Sequence, residues 1–118
     1  MLGLDAGGIL PAVALASASG TPYRLSWRLD LDLPNKYVFC EPHSALPELY
    51  IYGSFHGKRV LIVDDEVTTG RTVANLTEVL TAAGTDVVGV SCLVEDTAGG
   101  GRAFLIEMGM PLCALTAL

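Results

Sequence analysis

The sequence predicts an α/β fold, a parallel sheet in three layers with crossover helices. Three observations carry that expectation. Short apolar runs alternate along the chain with segments of helical period. The run Val60-Leu61-Ile62-Val63 is uninterrupted by polar residues, as in a strand covered on both faces. Two strand candidates each lead through a loop of small residues straight into a helix, at Asp5-Ala6-Gly7-Gly8 and at Thr68-Thr69-Gly70-Arg71-Thr72. With 118 residues and 51% hydrophobic content, the chain reads as one domain over residues 1–118, large enough to bury a core.

The elements follow in order. Met1–Leu4 reads as a strand, and Ile9–Ser19 as a helix with Pro11 in its first turn and Gly20 as its stop. Pro22–Trp27 alternates at period two and reads as a short strand. From Leu29 to Gly57 the pattern is broken by Pro34, Asn35, Pro42, Pro47 and Gly53, with Leu49-Tyr50-Ile51-Tyr52 as a strand near its end. A loop of that length in a compact domain implies function or hidden structure. After the central strand, Val73, Leu76, Val79, Leu80 and Ala83 share one helical face, and Gly84 closes the helix in a left-handed cap. Val87–Val94 is the next strand, Ala103–Met110 a short helix and Leu112–Leu115 the last strand.

Composition excludes several classes. A formal net charge of −6 without a basic stripe argues against nucleic acid and acidic membrane as partners, since both need clustered Lys and Arg. No run approaches the roughly 18 apolar residues of a membrane span, and no basic region precedes an apolar N-terminal segment. A cytoplasmic protein is the expectation. Cys40, Cys92 and Cys113 are widely spaced without a Cys-x-x-Cys pair, so they read as reduced, mostly buried thiols. His43, His56 and Asn75 read as solvated, and no protein-held metal site is expected. Neither Gly-x-x-x-x-Gly-Lys-Ser/Thr nor Gly-x-Gly-x-x-Gly occurs, which removes support for triphosphatase and dinucleotide readings.

The chemistry concentrates in Asp64-Asp65-Glu66-Val67-Thr68-Thr69-Gly70-Arg71-Thr72. A strand delivers two carboxylates at its carboxyl end, where ligands bind in open α/β sheets. Thr68, Thr69, Gly70 and Thr72 follow, supplying hydroxyls and backbone N–H groups just ahead of a helix whose N-terminus favours phosphate. Such a combination suits a sugar phosphate. Two adjacent Asp side chains in a continuing strand would point to opposite faces, so the chain is expected to turn at Asp65 for both to reach one sugar, with Thr68–Gly70 supplying the turn.

These residues closely resemble the signature by which type I phosphoribosyltransferases bind 5-phosphoribosyl-1-pyrophosphate. The resemblance implies that Asp64 and Asp65, the expected catalytic pair, meet the ribose 2- and 3-hydroxyls while residues 68 to 72, Arg71 included, wrap the 5-phosphate. Glu66 stands where the family usually has an apolar residue and Arg71 where it often has a small one, so a more polar loop entrance is expected. Gly3-Leu4-Asp5-Ala6-Gly7-Gly8-Ile9 resembles the pyrophosphate loop of the adenine- and xanthine-type enzymes, as does the Leu-Tyr-Ile-Tyr-Gly segment before the motif. This implies pyrophosphate binding by Asp5, Ala6, Gly7 and Gly8. Residues 29–57 would be the family's mobile hood, flanked by two antiparallel strands, with Arg28, Lys36 and Glu41 as candidates for contacting pyrophosphate or assisting proton transfer.

By the same resemblance the reaction is purine salvage, a base nitrogen displacing pyrophosphate from ribose C1, with substrate-bound Mg²⁺ and a nucleobase as further partners and a homodimer as the expected assembly. In the adenine-type enzymes the base pocket is built largely by residues ahead of the pyrophosphate loop, and four residues precede Asp5 here. The expectation is therefore the catalytic core of such an enzyme over residues 3 to 115, the N-terminal region of the complete enzyme being absent, with a non-catalytic phosphoribosyl-pyrophosphate-binding regulatory module as the alternative.

Overall fold

The computed structural model describes residues 1–118. In chain order the elements are β1 (Leu2–Gly3), α1 (Ile9–Ser19), β2 (Arg24–Leu25), β3 (Lys36–Cys40), β4 (Glu48–Tyr52), β5 (Arg59–Val67), α2 (Arg71–Ala82), β6 (Asp86–Glu95), a 3₁₀ turn at Thr97–Gly99, α3 (Gly101–Glu107) and β7 (Leu112–Ala117). Five strands form one sheet in the order β2-β1-β5-β6-β7, all parallel, and β3 and β4 form a separate antiparallel pair. The chain therefore winds outward from the centre in two directions, β1 to β2 one way and β5 to β6 to β7 the other. Right-handed crossovers place α1 on one face and α2 and α3 on the other. The three expected layers follow, and the loops after β1 and β5 diverge at the strand-order switch, where a cleft opens.

The core joins the sheet and α2 to the hairpin. Leu2, Leu4, Ile62 and Val90 from the sheet pack with Val73, Leu76 and Leu80 of α2 and with Phe39, Leu49 and Ile51 of the β3–β4 pair. β3 lies against α2, so the hairpin is anchored by its apolar side. The antiparallel pair implied by the resemblance is present, although only β4 announced itself through apolar alternation. β3, Lys-Tyr-Val-Phe-Cys, has a single fully buried residue, Phe39, and its strand state comes from pairing with β4.

Several boundaries differ from expectation, each through a tertiary contact. β5 does not end at Val63 but continues through Asp64, Asp65 and Glu66 to Val67, held by β6 in the register Asp64↔Cys92 to Val67↔Glu95. Pairing with a neighbour overrides the low strand preference of acidic residues, so the chain does not turn at Asp65, while Thr68–Gly70 supplies the turn as expected. The strand expected over Pro22–Trp27 is regular only at Arg24–Leu25, because the chain changes partner. Ser26 N donates to Gly3 O at 2.9 Å, whereas Trp27 N donates to Tyr50 O at 2.8 Å. The last helix starts two residues early, where Gly101 N donates to Thr68 O at 2.9 Å, and ends at Glu107. Left-handed Gly109 closes it through Gly109 N to Ile106 O and Met110 N to Leu105 O, both 2.8 Å.

Three surface readings are also corrected. Only Cys92 is buried, while Cys40 and Cys113 are exposed, because β3 and the edge strand β7 each turn a cysteine outward. Asn75 is not merely solvated, since its Nδ2 donates to Cys40 O at 2.9 Å, tying α2 to the end of β3. His43 borders the cleft and adopts a left-handed backbone with φ of 70°.

Candidate functional site

The cleft at the switch point has a volume of ≈ 550 Å³ and is bordered by Asp5–Gly7, Arg28, residues 41–44, residues 64–70, Thr72 and Val73. Three chain segments meet there: the loop after β1, the loop after β5, and the connection from β3 toward β4.

The loop after β5 is the most clearly built part. The amides of Thr68, Thr69, Gly70, Thr72 and Val73 donate to no group within the chain, Arg71 N reaches only Thr69 Oγ1 at 3.4 Å, and the first regular helical bond is Ala74 N to Gly70 O at 3.0 Å. Unsatisfied amides converging at a helix N-terminus are an anion cradle. Gly70 makes the shape possible. It is left-handed, with φ of 74°, and a Cβ there would lie 3.0 Å from Leu105 Cγ and 3.3 Å from Gly101 O. Thr68 O is meanwhile fixed by Gly101 N, so α3 props the cradle from below.

The loop after β1 repeats the device. Asp5 N donates to the buried Ser26 Oγ at 2.9 Å and Gly8 N to Leu4 O at 2.8 Å, leaving the amides of Ala6 and Gly7 without a partner in the chain. The Asp5–Ala6 peptide is cis. Gly8 does not face the cleft. A Cβ on it would lie 2.4 Å from Val63 O and 2.7 Å from Leu4 N, so Gly8 is there for packing against β5.

Between the loops stand the carboxylates. Asp65 lies directly over Gly7, where an added Cβ would sit 2.1 Å from its carboxylate. Gly7 is thus the clearance that admits Asp65 to the cleft from a strand that has not yet turned. Asp64 borders the same cleft, and its Oδ1 accepts from Asp65 N at 2.9 Å. Burial first, and then hydrogen bonding with the Asp65 side chain, pushes the Asp64 carboxyl up to about 8. A desolvated acid beside a second carboxylate favours its neutral form until a ligand supplies donors or positive charge.

The third wall is ionic. Arg28 pairs with Glu41 and donates from Nη1 to Leu46 O at 2.6 Å, while Arg28 N donates to Asp5 Oδ2 at 3.1 Å. Asp5 therefore positions Arg28 as well as shaping its own loop. Two expected participants lie elsewhere. Lys36 pairs with Asp30 at 2.7 Å, away from the cleft, and Arg71 turns its guanidinium over the Phe104 ring at 5.1 Å. Glu66 does border the cleft, its Oε1 accepting from Thr68 Oγ1 at 3.3 Å, so the entrance is acidic rather than mixed. Ser26 and His43 were missed by sequence reasoning. An isolated buried serine has no sequence signal, but a histidine between Pro42 and Ser44 in a punctuated loop is a place where a left-handed residue is unsurprising.

The chain is similar to known proteins along nearly its whole length. The family model for the phosphoribosyl transferase domain matches residues 41–104. The xanthine phosphoribosyltransferase of Chloroflexus aurantiacus is 32% identical over 98% of this chain and 57% of its own length. The orotate phosphoribosyltransferase of Bartonella quintana is 38% identical over 72% of this chain and 41% of its own. Among solved structures, the adenine phosphoribosyltransferase of Thermoanaerobacter pseudethanolicus superposes with a TM-score of 0.80 at 25% identity, over 99% of this chain and 69% of that one. The chain thus spans about half the length of the curated relatives it matches.

Proposed function

The chain belongs to the phosphoribosyl transferase domain family, and from that premise we propose that its cleft binds 5-phosphoribosyl-1-pyrophosphate and transfers the phosphoribosyl group to a purine-type base with release of pyrophosphate. The observation that carries the proposal is the pair of unpartnered amide sets, at Ala6–Gly7 and at Thr68–Gly70 with Thr72 and Val73, facing one cleft across two carboxylates. One substrate with two phosphate ends and a sugar diol between them matches that layout. The 5-phosphate goes to the α2 cradle, the pyrophosphate to the β1 loop beside Arg28, and the ribose hydroxyls donate to Asp64 and Asp65.

Displacement at ribose C1 builds positive charge on the sugar ring and negative charge on the leaving pyrophosphate. Fixed carboxylates under the ring and fixed amides around the phosphates favour that separation without reorganising. Glu41, held at the cleft mouth by Arg28, is the group placed to take the proton that the attacking base nitrogen loses. Mg²⁺ fits as an ion carried by the substrate, keeping waters, with the oxygens of Asp64, Asp65 and Glu66, which border the cleft, as nearby hard donors. When bound it neutralises charge on the leaving group. The purine preference is supported by the xanthine-type and adenine-type relatives. A homodimer is proposed with it, to be read from the mass in solution. No helix is long and apolar enough to cross a membrane.

The test is nucleotide release from phosphoribosyl pyrophosphate and Mg²⁺ with adenine, guanine, hypoxanthine, xanthine, uracil or orotate. Turnover with a purine is expected. Binding of the pyrophosphate donor with no turnover on any base would instead make the chain a binding module.

A further inference from the structure

The end of the sheet opposite the cleft gathers cations in an acidic protein. Three of the chain's seven Lys and Arg residues, Arg24, Lys58 and Arg59, border a cavity of ≈ 340 Å³ at the amino ends of β1, β2 and β5, and no carboxylate borders it. Elsewhere Arg28, Lys36 and Arg102 are each paired with a carboxylate. Here Arg24 and Lys58 form no ion pair, and Arg59 approaches Asp86 only at 3.7 Å with both side chains largely exposed, a weak and screened contact.

Arg24 is seated with care for a residue without a counter-ion. Its Nη1 donates to Ser54 O at 3.2 Å and Tyr52 O at 3.4 Å, and its guanidinium lies 4.9 Å from the Phe55 ring centroid. Gly53, with φ of 103°, leaves the space, since a Cβ there would lie 2.4 Å from Arg24 Nη1. The guanidinium is thus fixed while Nε and Nη2 remain without partners in the chain, which is the fork that recognises phosphate oxygens. The half-exposed Tyr23 ring stands on the same wall.

We propose that this cavity is a second anion site, for a phosphate-bearing ligand with a planar ring, its phosphate on Arg24, Lys58 and Arg59 and its ring against Tyr23. The site is separate from the phosphoribosyl cleft and does not depend on it.

Amide NMR spectra during titration with AMP, and separately with inorganic phosphate, locate both sites at once. AMP should move the amides of Tyr23, Phe55, Lys58 and Arg59 along a saturable curve, with inorganic phosphate acting on the same amides more weakly. Arg24→Gln and Lys58→Gln should each weaken that response about tenfold, as expected for loss of one charge-assisted hydrogen bond, while responses at residues 68–72 stay as in the parent. Lys58 is exposed, so its variant keeps the fold even if Arg24→Gln loosens the Tyr52–Ser54 turn. AMP shifts confined to the cleft, or a Lys58→Gln protein responding as the parent does, would overturn the site. Equal midpoints for AMP and inorganic phosphate would overturn the ring contact.

Discussion

Asp64 is the residue on which the cleft's electrostatics turn. Its carboxyl is pushed up to about 8 by burial and by the neighbouring Asp65 side chain. In the unfolded chain it titrates near 3.8, so the folded, ligand-free protein holds the extra proton between these values. Stability of the free protein therefore falls as pH rises from about 4 to about 8. Asp64→Asn removes this dependence. At pH 8 it should stabilise the ligand-free protein by about 1–2 kcal/mol, a discount on 1.36 kcal/mol per pKa unit because the cleft is open to solvent, as read by urea unfolding. Binding works in the opposite sense. Ribose hydroxyls donate to the charged form, so affinity for phosphoribosyl pyrophosphate should rise toward pH 8, with proton release detectable by calorimetry in buffers of different ionisation enthalpy. Asp64→Asn and Asp65→Asn should each weaken binding by about 1.5–3 kcal/mol. A pH-independent affinity in the parent would show that Asp64 does not meet the ligand.

At the scale of elements, the two strand–loop–helix units should be separable by ligand. Gly70→Val removes a left-handed residue and drives a side chain toward Leu105 and Gly101 O, so it should abolish binding of ribose 5-phosphate and of phosphoribosyl pyrophosphate alike. Thr72→Val, nearly isosteric and gentler on the fold, should weaken both in the same proportion. Gly7→Ala instead places a methyl against the Asp65 carboxylate. It should weaken binding of phosphoribosyl pyrophosphate more than that of ribose 5-phosphate. Calorimetry with the two ligands on each variant reads the contrast, and equal losses in Gly7→Ala would mean that the variant acts through the ribose contact of Asp65 alone, with no pyrophosphate contact at the β1 loop. The hairpin is held to α2 by Asn75 and by apolar packing. Asn75→Ala should raise hydrogen exchange across β3 and its junction to residues 41–44 while leaving β5 and β6 protected. Unchanged exchange there would mean that the core contacts of Phe39, Leu49 and Ile51 fix the hairpin without Asn75.

At the scale of the molecule, what was legible in the sequence was what is local. The strand and loop at residues 60–72, the Gly20 and Gly84 helix stops and the parallel sheet with crossover helices all follow from short-range pattern, and the structure has them. What depends on distant partners was not legible. Asp64–Val67 stay extended because β6 pairs with them, α3 starts at Gly101 because Thr68 O receives its amide, and β3 exists because β4 lies beside it. Side-chain direction escaped for the same reason. Arg71 sits within the motif yet turns to Phe104, Gly8 packs under the loop, and Asp65 enters the cleft only because Gly7, far away in sequence, leaves it room.

The central claim is that one phosphoribosyl pyrophosphate spans both amide sets with its ribose on the acidic pair, and a crystal structure of the chain with that ligand and Mg²⁺ tests it most directly. The predicted result has the 5-phosphate within hydrogen-bond distance of the amides of residues 68–72, the ribose 2- and 3-hydroxyls on Asp64 and Asp65, and the pyrophosphate at Ala6 and Gly7. A ligand whose 5-phosphate lies away from the α2 N-terminus, or whose ribose does not touch Asp64 or Asp65, would contradict it.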